Sequence, residues 1–326
     1  MLSYILRRLY QMVILTLIIS VIAFVVIQLP PGDFVDAYVA SVAGNDVITA
    51  DTIEGLRLQF GLDQPMHVQY FKWMGNVLRG NFGLSFQHQR TVLDLLAERL
   101  PLTLAITLPT TVFVYMLAIP IGIYSAARQY SFLDYVFSFI GFIGLAIPNF
   151  LFAIVLLYIG SRYFGANVGG LFSPQYELAP WSWGKFLDLL SNLWIPILVV
   201  GTAGTAGTIR VMRGMLLDEL NQPYVETARA KGLAEWQLIF KYPVRVAISP
   251  VLSTIGFTLP ALISGTAITA IVLNLPTTGP LLLNALLSQD MFLAGSIILI
   301  LSLLTVIGTF ISDILLVLAD PRIRTQ

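Results

Sequence analysis

From Leu100 to Ala127 the chain runs for 28 residues without an Asp, Glu, Lys or Arg. Four similar runs are Met12 to Leu29 (18 residues), Tyr135 to Ser161 (27), Leu189 to Ile209 (21) and Met291 to Ser312 (22). A sixth, Val246 to Gln289, reaches 44 residues and is too long for one crossing of a bilayer. Pro276-Thr277-Thr278-Gly279-Pro280 interrupts it and leaves Val246 to Leu275, 30 residues, ahead of the break. A helix needs about 20 apolar residues to cross roughly 30 Å of hydrocarbon. Lipid offers no partner to backbone N–H and C=O groups, and a helix pairs them all internally. Six crossings fit, and the expected fold class is an all-α polytopic membrane protein with six transmembrane helices.

Composition agrees. Hydrophobic residues make up 57% of the 326 and charged residues 11%, against about a quarter charged in a typical soluble domain. Eighteen basic and eighteen acidic residues cancel, which excludes a basic nucleic-acid binder or an acidic tail by overall balance. Cysteine is absent, so disulfides, thiolate nucleophiles and Cys-ligated metals are excluded. The first run follows Arg7 and Arg8 as a signal peptide would. It is longer than a usual signal core, however, and Leu29-Pro30-Pro31-Gly32 offers no small-x-small cleavage site. A retained helix is expected.

Six crossings place both termini on one side. That side carries eleven Lys and Arg, among them Arg210, Arg213, Arg229, Lys231, Lys241 and Arg245. The other carries seven, five of them in one long loop. Short loops rich in Lys and Arg stay in the cytoplasm, so both termini are expected to be cytoplasmic. The organisation is then residues 1–29 (N-terminal residues and first helix), 30–99 (extracytoplasmic segment) and 100–326 (a five-helix core with a cytoplasmic loop at about 210–245). In the external segment, Ile53 to Phe60 has amphipathic spacing. Gln64 to Leu78 reads as a second external helix with Val68, Phe71, Met74, Val77 and Leu78 on one face. Trp181 and Trp183 in the shorter external loop are expected at the membrane interface.

Catalytic equipment is missing. None of the four lysines stands in a G-x-x-x-x-G-K-[ST] loop, so the chain has no nucleotide-binding P-loop of its own. His67 and His88 are the only histidines, with no H-E-x-x-H, and neither is expected to bind metal. The one acid read as near the membrane is Asp313, and a proton-coupled carrier ordinarily needs ionisable relays at membrane depth. Gly201-Thr202-Ala203-Gly204-Thr205-Ala206-Gly207-Thr208 lies inside an apolar run, where small residues serve close helix approach. Thr202, Thr205, Asn149 and Asn274 are polar sites at membrane depth and candidates for lining a pathway, with interhelical hydrogen bonding as the alternative for the two asparagines.

The cytoplasmic loop carries the most information. Pro223 suits a first helical turn, Glu226 suits the positive end of that helix, and Arg229 and Lys231 suit its negative end. Gly232 suits a left-handed stop, and a second short helix is expected from Ala234 to Phe240. Glu226-Thr227-Ala228, three further residues and Gly232 resemble the E-A-A-x-x-x-G loop of ABC importer permeases, with Thr for the middle Ala. Ile5-Leu6-Arg7-Arg8-Leu9, Leu29-Pro30-Pro31-Gly32-Asp33, Gly61-Leu62-Asp63-Gln64-Pro65, Gly80-Asn81-Phe82-Gly83-Leu84-Ser85 and Asp320-Pro321-Arg322-Ile323-Arg324 extend the likeness over almost the whole chain. Together they resemble the permeases of dipeptide and oligopeptide importers. Tyr242 and Ala270 depart from it, where the family commonly carries a histidine and a carboxylate nearby.

The resemblance implies a type I importer permease in a bacterial or archaeal inner membrane, without catalytic activity or bound cofactor. ATP and Mg would be bound by two cytoplasmic ATPase subunits, a second homologous permease subunit would complete the pathway, and an extracytoplasmic solute-binding protein would deliver the ligand. Glu226, Thr227, Ala228 and Gly232 would form the loop that couples to the ATPases, with Ala228 small enough for close approach to a partner groove. The alternatives are nickel or oligosaccharides as the ligand, or a stand-alone secondary transporter.

Overall fold

The computed structural model describes residues 2–28, 63–85, 87–164, 169–256 and 266–319, and singly 35, 54, 55, 58, 258 and 261. Leu29 to Asp33, Asp320 to Arg324 and most of the helix expected over Ile53 to Phe60 lie outside the described residues.

The chain opens with α1 (Leu2–Gln28) and α2 (Met66–Leu78), followed by a two-residue pairing of β1 (Leu84–Ser85) with β2 (Arg90–Thr91). Then come α3 (Val92–Ala127), α4 (Phe132–Ala146), α5 (Asn149–Phe164), the single turn α6 (Pro174–Glu177), α7 (Trp183–Asn192) and α8 (Trp194–Leu220). Two short helices, α9 (Pro223–Ala230) and α10 (Glu235–Lys241), lead into α11 (Pro243–Ser253). α12 (Ala267–Val272), α13 (Thr278–Leu287) and α14 (Met291–Ala319) complete the described order. Apart from the β1–β2 pairing, the regular structure among the described residues is helical.

Among the described residues four helices are long and apolar enough to cross a membrane: Ile5–Val26, Val92–Ala127, Trp183–Leu220 and Met291–Val317. The stretch expected as one crossing from Tyr135 to Ser161 is instead the pair α4 and α5, bent by 101°. Proline is the cause. Pro148 forces Ile147 before it out of the helical region, to φ −88° and ψ 120°, because its ring clashes with the preceding residue. Counted as one broken span, the pair makes a fifth. The stretch expected as a crossing from Val246 to Leu275 holds α11 and α12 as separate helices, with residues 257, 259–260 and 262–265 outside the description.

The chain forms two compact units. One comprises Leu6–Thr103 and Thr277–Val306. In it α2 lies against α1: Phe24 meets Tyr70 edge-on at 5.6 Å and Trp73 at 5.7 Å, and the Ser20 and Tyr70 hydroxyls are 2.7 Å apart. The face of α2 that packs is thus Tyr70, Trp73, Met74 and Val77. Phe71 and Leu78, expected on that face, are 70% and 80% exposed. A second cluster joins Val92, Leu95 and Leu96 to Leu281, Ala285, Leu293 and Ile297. Buried Asp290 ties the β1 turn to the start of α14, accepting from Ser85 Oγ at 2.5 Å and from the Leu293 N–H at 3.3 Å.

The other unit comprises Met1–Ile5, Leu104–Pro276 and Ile307–Gln326. Its organising helix is α8, whose glycines let neighbours approach closely. A Cβ placed at Gly201 would lie 2.9 Å from Phe113 Cδ1, and one at Gly204 would lie 3.2 Å from Val114 Cγ2, both on α3. On the next face Thr202 and Ala206 meet α4, where a Cβ at Gly144 would be 3.0 Å from Thr202 Cγ2. Lower down, a Cβ at Gly122 of α3 would be 2.7 Å from Met212 Cβ and 3.2 Å from the Ile209 carbonyl oxygen. In the first turn of α7, Lys185 is buried and donates to the Ala179 carbonyl at 2.6 Å beneath the Phe172 ring, while Trp181 and Trp183 remain exposed.

These approaches predict opposite fates for two glycine substitutions. Gly122→Val must displace Met212 and is expected to cost about 1–3 kcal/mol. Gly207→Ala, with nothing within 4 Å of its new Cβ, should leave stability unchanged or raise it by roughly 1 kcal/mol. Thermal unfolding of the two purified variants checks this, and equal midpoints would contradict the close α3–α8 approach.

Candidate functional site

The charged segment after α8 folds as two short helices. Asn221 ends α8, Gln222 is extended, and Pro223 takes the first helical position of α9, where its missing N–H costs nothing. Glu226 is in the first turn and Arg229 in the last, each favourably placed on the helix dipole. The stop is left-handed: Gly232 has φ +77°, its N–H bonds the Arg229 carbonyl at 3.0 Å, and a Cβ there would meet nothing within 4 Å. Conformation rather than crowding therefore calls for glycine.

Side chains then divide between two faces. Val225 and Ala228 of α9 and Leu238 and Ile239 of α10 are buried in one cluster with Ile123, Met212, Leu216, Ala247 and Val251. Glu226 and Thr227 are exposed, and the Thr227 hydroxyl donates to the Pro223 carbonyl at 2.9 Å. Ala228 is on the buried face, where its small side chain seats α9 on the chain's own helices.

Arg229 braces α9 to α10 by two contacts with the Glu235 carboxylate, one of them Nη2 to Oε2 at 3.3 Å. The guanidinium hydrogen bond holds the Glu235 carboxyl below the usual carboxylate range, and the carboxylate raises Arg229 in turn. Both side chains are at least half exposed, so the brace fixes geometry more than it adds stability.

A less exposed ion pair lies further back, about two turns before the end of α8. Arg213 of α8 donates to Asp134 of α4 through Nε at 2.9 Å and Nη2 at 3.0 Å. Asp134 also accepts the Tyr130 N–H at 3.0 Å, and its own N–H is capped by Ser131 Oγ. The aspartate is 3% exposed and the arginine 27%. Sequence reasoning missed this pair. Ser131 and Asp134 have the spacing of a capping motif at a helix start, a signal sufficient for the cap but not for its partner 79 residues away.

The candidate pathway residues are dispersed. Thr202 and Thr205 are one turn apart on α8; the Thr202 hydroxyl bonds the Leu198 carbonyl at 2.5 Å, while buried Thr205 Oγ1 has no partner. Asn149 begins α5 just beyond the bend. Asn274 is exposed at φ +51°, in the turn that closes α12, where the Leu275 N–H reaches the Ala270 carbonyl at 2.7 Å. Asparagine tolerates that left-handed conformation, which accounts for the residue type without a ligand. Among the described residues no group of His, Asp or Glu is arranged to hold a metal ion.

The apolar helices and the capped basic loop define a membrane component, and comparison with known proteins gives its family. Residues 118–325 match the family described as binding-protein-dependent transport system inner membrane component. Residues 1–107 match the N-terminal region of such membrane components. The chain belongs to this family of inner-membrane permeases. It is 36% identical over 326 residues to the oligopeptide transport system permease protein AppB of Bacillus subtilis (strain 168), covering 99% of this chain and 100% of that one. It is 30% identical to the di/tripeptide transport system permease protein DppB of Pseudomonas aeruginosa (strain UCBPP-PA14), over the full length of both. The oligopeptide transport system permease protein OppB of Haemophilus influenzae (strain ATCC 51907 / DSM 11121 / KW20 / Rd) is 28% identical, covering 99% of this chain and 100% of that one.

The ion pair can be tested on its own. Asp134→Asn leaves Arg213 without its counter-charge and should cost about 1–3 kcal/mol, less than a fully buried pair because the guanidinium keeps a wet side. Adding Arg213→Gln should recover part of that loss. Unfolding midpoints of the two single variants and the double variant close the cycle, and strict additivity would show that the pair contributes no coupling.

Proposed function

We propose that this chain is the permease subunit of an ATP-driven peptide importer. In this reading it crosses the membrane six times with both termini in the cytoplasm, and the fifth crossing includes α11 and α12. A second homologous permease completes the pathway, two cytoplasmic ATPases drive it, and an extracytoplasmic binding protein delivers di- or oligopeptides. The names of the relatives support the ligand class, and the eleven-to-seven distribution of Lys and Arg supports the orientation. Thr202, Thr205, Asn149 and Asn274 are proposed pathway positions.

One observation carries the coupling role. The two helices of the loop share a single buried cluster with α3, α8 and α11, so a push on α9 is delivered to packed helices rather than absorbed by a slack connector. Packed elements move as rigid bodies between discrete arrangements. Glu226 and Thr227 face outward for an ATPase, Ala228 holds α9 to the bundle, and Gly232 sets the turn.

Gly232→Val tests this reading. A β-branched residue in a left-handed conformation costs roughly 1–2 kcal/mol, and the open space around Gly232 confines the damage to the helix end. In vesicles holding the complete transporter at equal incorporation, the variant should lose ligand-stimulated ATP hydrolysis and peptide uptake. Wild-type stimulation and uptake would sink the docking assignment. Orientation is checked separately by single cysteines at Ser3, Gln87, Gln237 and Thr325. Only Gln87→Cys should react with an impermeant reagent from outside, and external labelling of Gln237→Cys would reverse the topology. Uptake by the permease without ATPases would favour a secondary transporter instead.

A further inference from the structure

A groove of about 200 Å³ runs between α4 and α8, walled by Phe137, Phe142, Leu145 and Ile209, with Arg210 and Gly214 along its α8 side. Arg210 ends the uncharged run of α8, yet its guanidinium lies 5.2 Å from the centre of the Phe142 ring. Phe142 is eight residues past Asp134, about 12 Å further along α4. The Arg210 side chain is exposed, and its charge lies further along the apolar length of α4 than the Asp134–Arg213 pair at the start of that helix. Arg213 has its carboxylate; Arg210 has none within ion-pair distance among the described residues. A guanidinium at the edge of hydrocarbon without a counter-ion is costly and ordinarily marks a binding position.

We propose that this groove binds an anionic phospholipid, its phosphate on Arg210 and an acyl chain along the aromatic wall. Charge complementarity selects the headgroup, since a guanidinium presents a fork of donors that matches phosphate oxygens. The wall selects the chain. A peptide lying here would need partners for its amide groups, and besides the two arginines the groove supplies only the Ser138 hydroxyl among its polar side chains. The outer side of α4 continues the apolar surface, with Tyr135, Phe139 and Ile140 all exposed, as lipid contact requires. The proposal rests on the membrane placement of α4 and α8, not on what the protein transports. Basic pockets between membrane helices are general sites for acidic lipid headgroups.

The test uses the complete transporter in mixed micelles with equal phosphatidylglycerol and phosphatidylcholine, washed and then analysed for retained lipid by mass spectrometry. Wild type should retain phosphatidylglycerol preferentially. Arg210→Gln should lower that preference about fivefold, the effect of one basic residue at an anionic surface, and Arg210→Lys should keep most of it. Gly214→Leu puts a side chain into the groove's end at a position where nothing lies within 4 Å of the new Cβ, and should lower total retention with Arg210 intact. Unchanged preference in Arg210→Gln would overturn the proposal. So would a photoreactive group at Ser138 that captures the second permease or peptide instead of lipid. Because lipid is counted directly, the result stands whether or not the preparation transports, and failure of the transport assays leaves it intact.

Discussion

Helices in lipid gain little from hiding apolar surface from one another, because the surrounding tails are as apolar as the side chains. What holds them is contact distance, and in the larger unit that distance is set by small residues along α8 and on the helices facing it. Gly201 and Gly204 admit α3, Gly144 admits the Thr202 methyl, and Gly122 admits Met212. At each place a Cβ would fall within 3.2 Å of a neighbouring side chain. The remaining features of that unit hang on this framework. The loop helices are buried against Met212 and Leu216 of α8, and Arg213 of the same helix fixes the start of α4.

That arrangement gives the loop after α8 a mechanical character. A two-helix connector with only exposed residues would bend under load. Here Val225, Ala228, Leu238 and Ile239 are set in the cluster that includes Val251 of α11 and Ile123 of α3. The exposed face of α9 keeps the polar residues, Glu226 and Thr227. The helix is thereby divided into a held side and an offered side, which is the division the proposed coupling role needs.

Much of this was legible in the sequence. Uncharged runs located the apolar helices, since removing a backbone from water requires internal hydrogen bonding over a fixed length. Pro223, Glu226, Arg229 and Gly232 marked the ends of α9 because caps and dipole charges act locally. The α2 helix was also legible, but not its packed face. Phe71 satisfies the period and is still exposed, because Tyr70 and Trp73 bring larger rings to Phe24. Asn274 read as polar at membrane depth, and only its φ of +51° made it a turn residue.

Sequence alone determined that the chain is a polytopic helical membrane protein, where its basic loop lies and how α9 is capped, for these depend on composition and on interactions between residues a few positions apart. Tertiary structure decided what the local pattern leaves open. It turned Ala228 inward, paired Arg213 with Asp134, set Arg210 over Phe142, and bent the third apolar stretch by 101° at Pro148. A helix presents several faces of similar chemistry, and which one is covered is settled only by the neighbour that arrives.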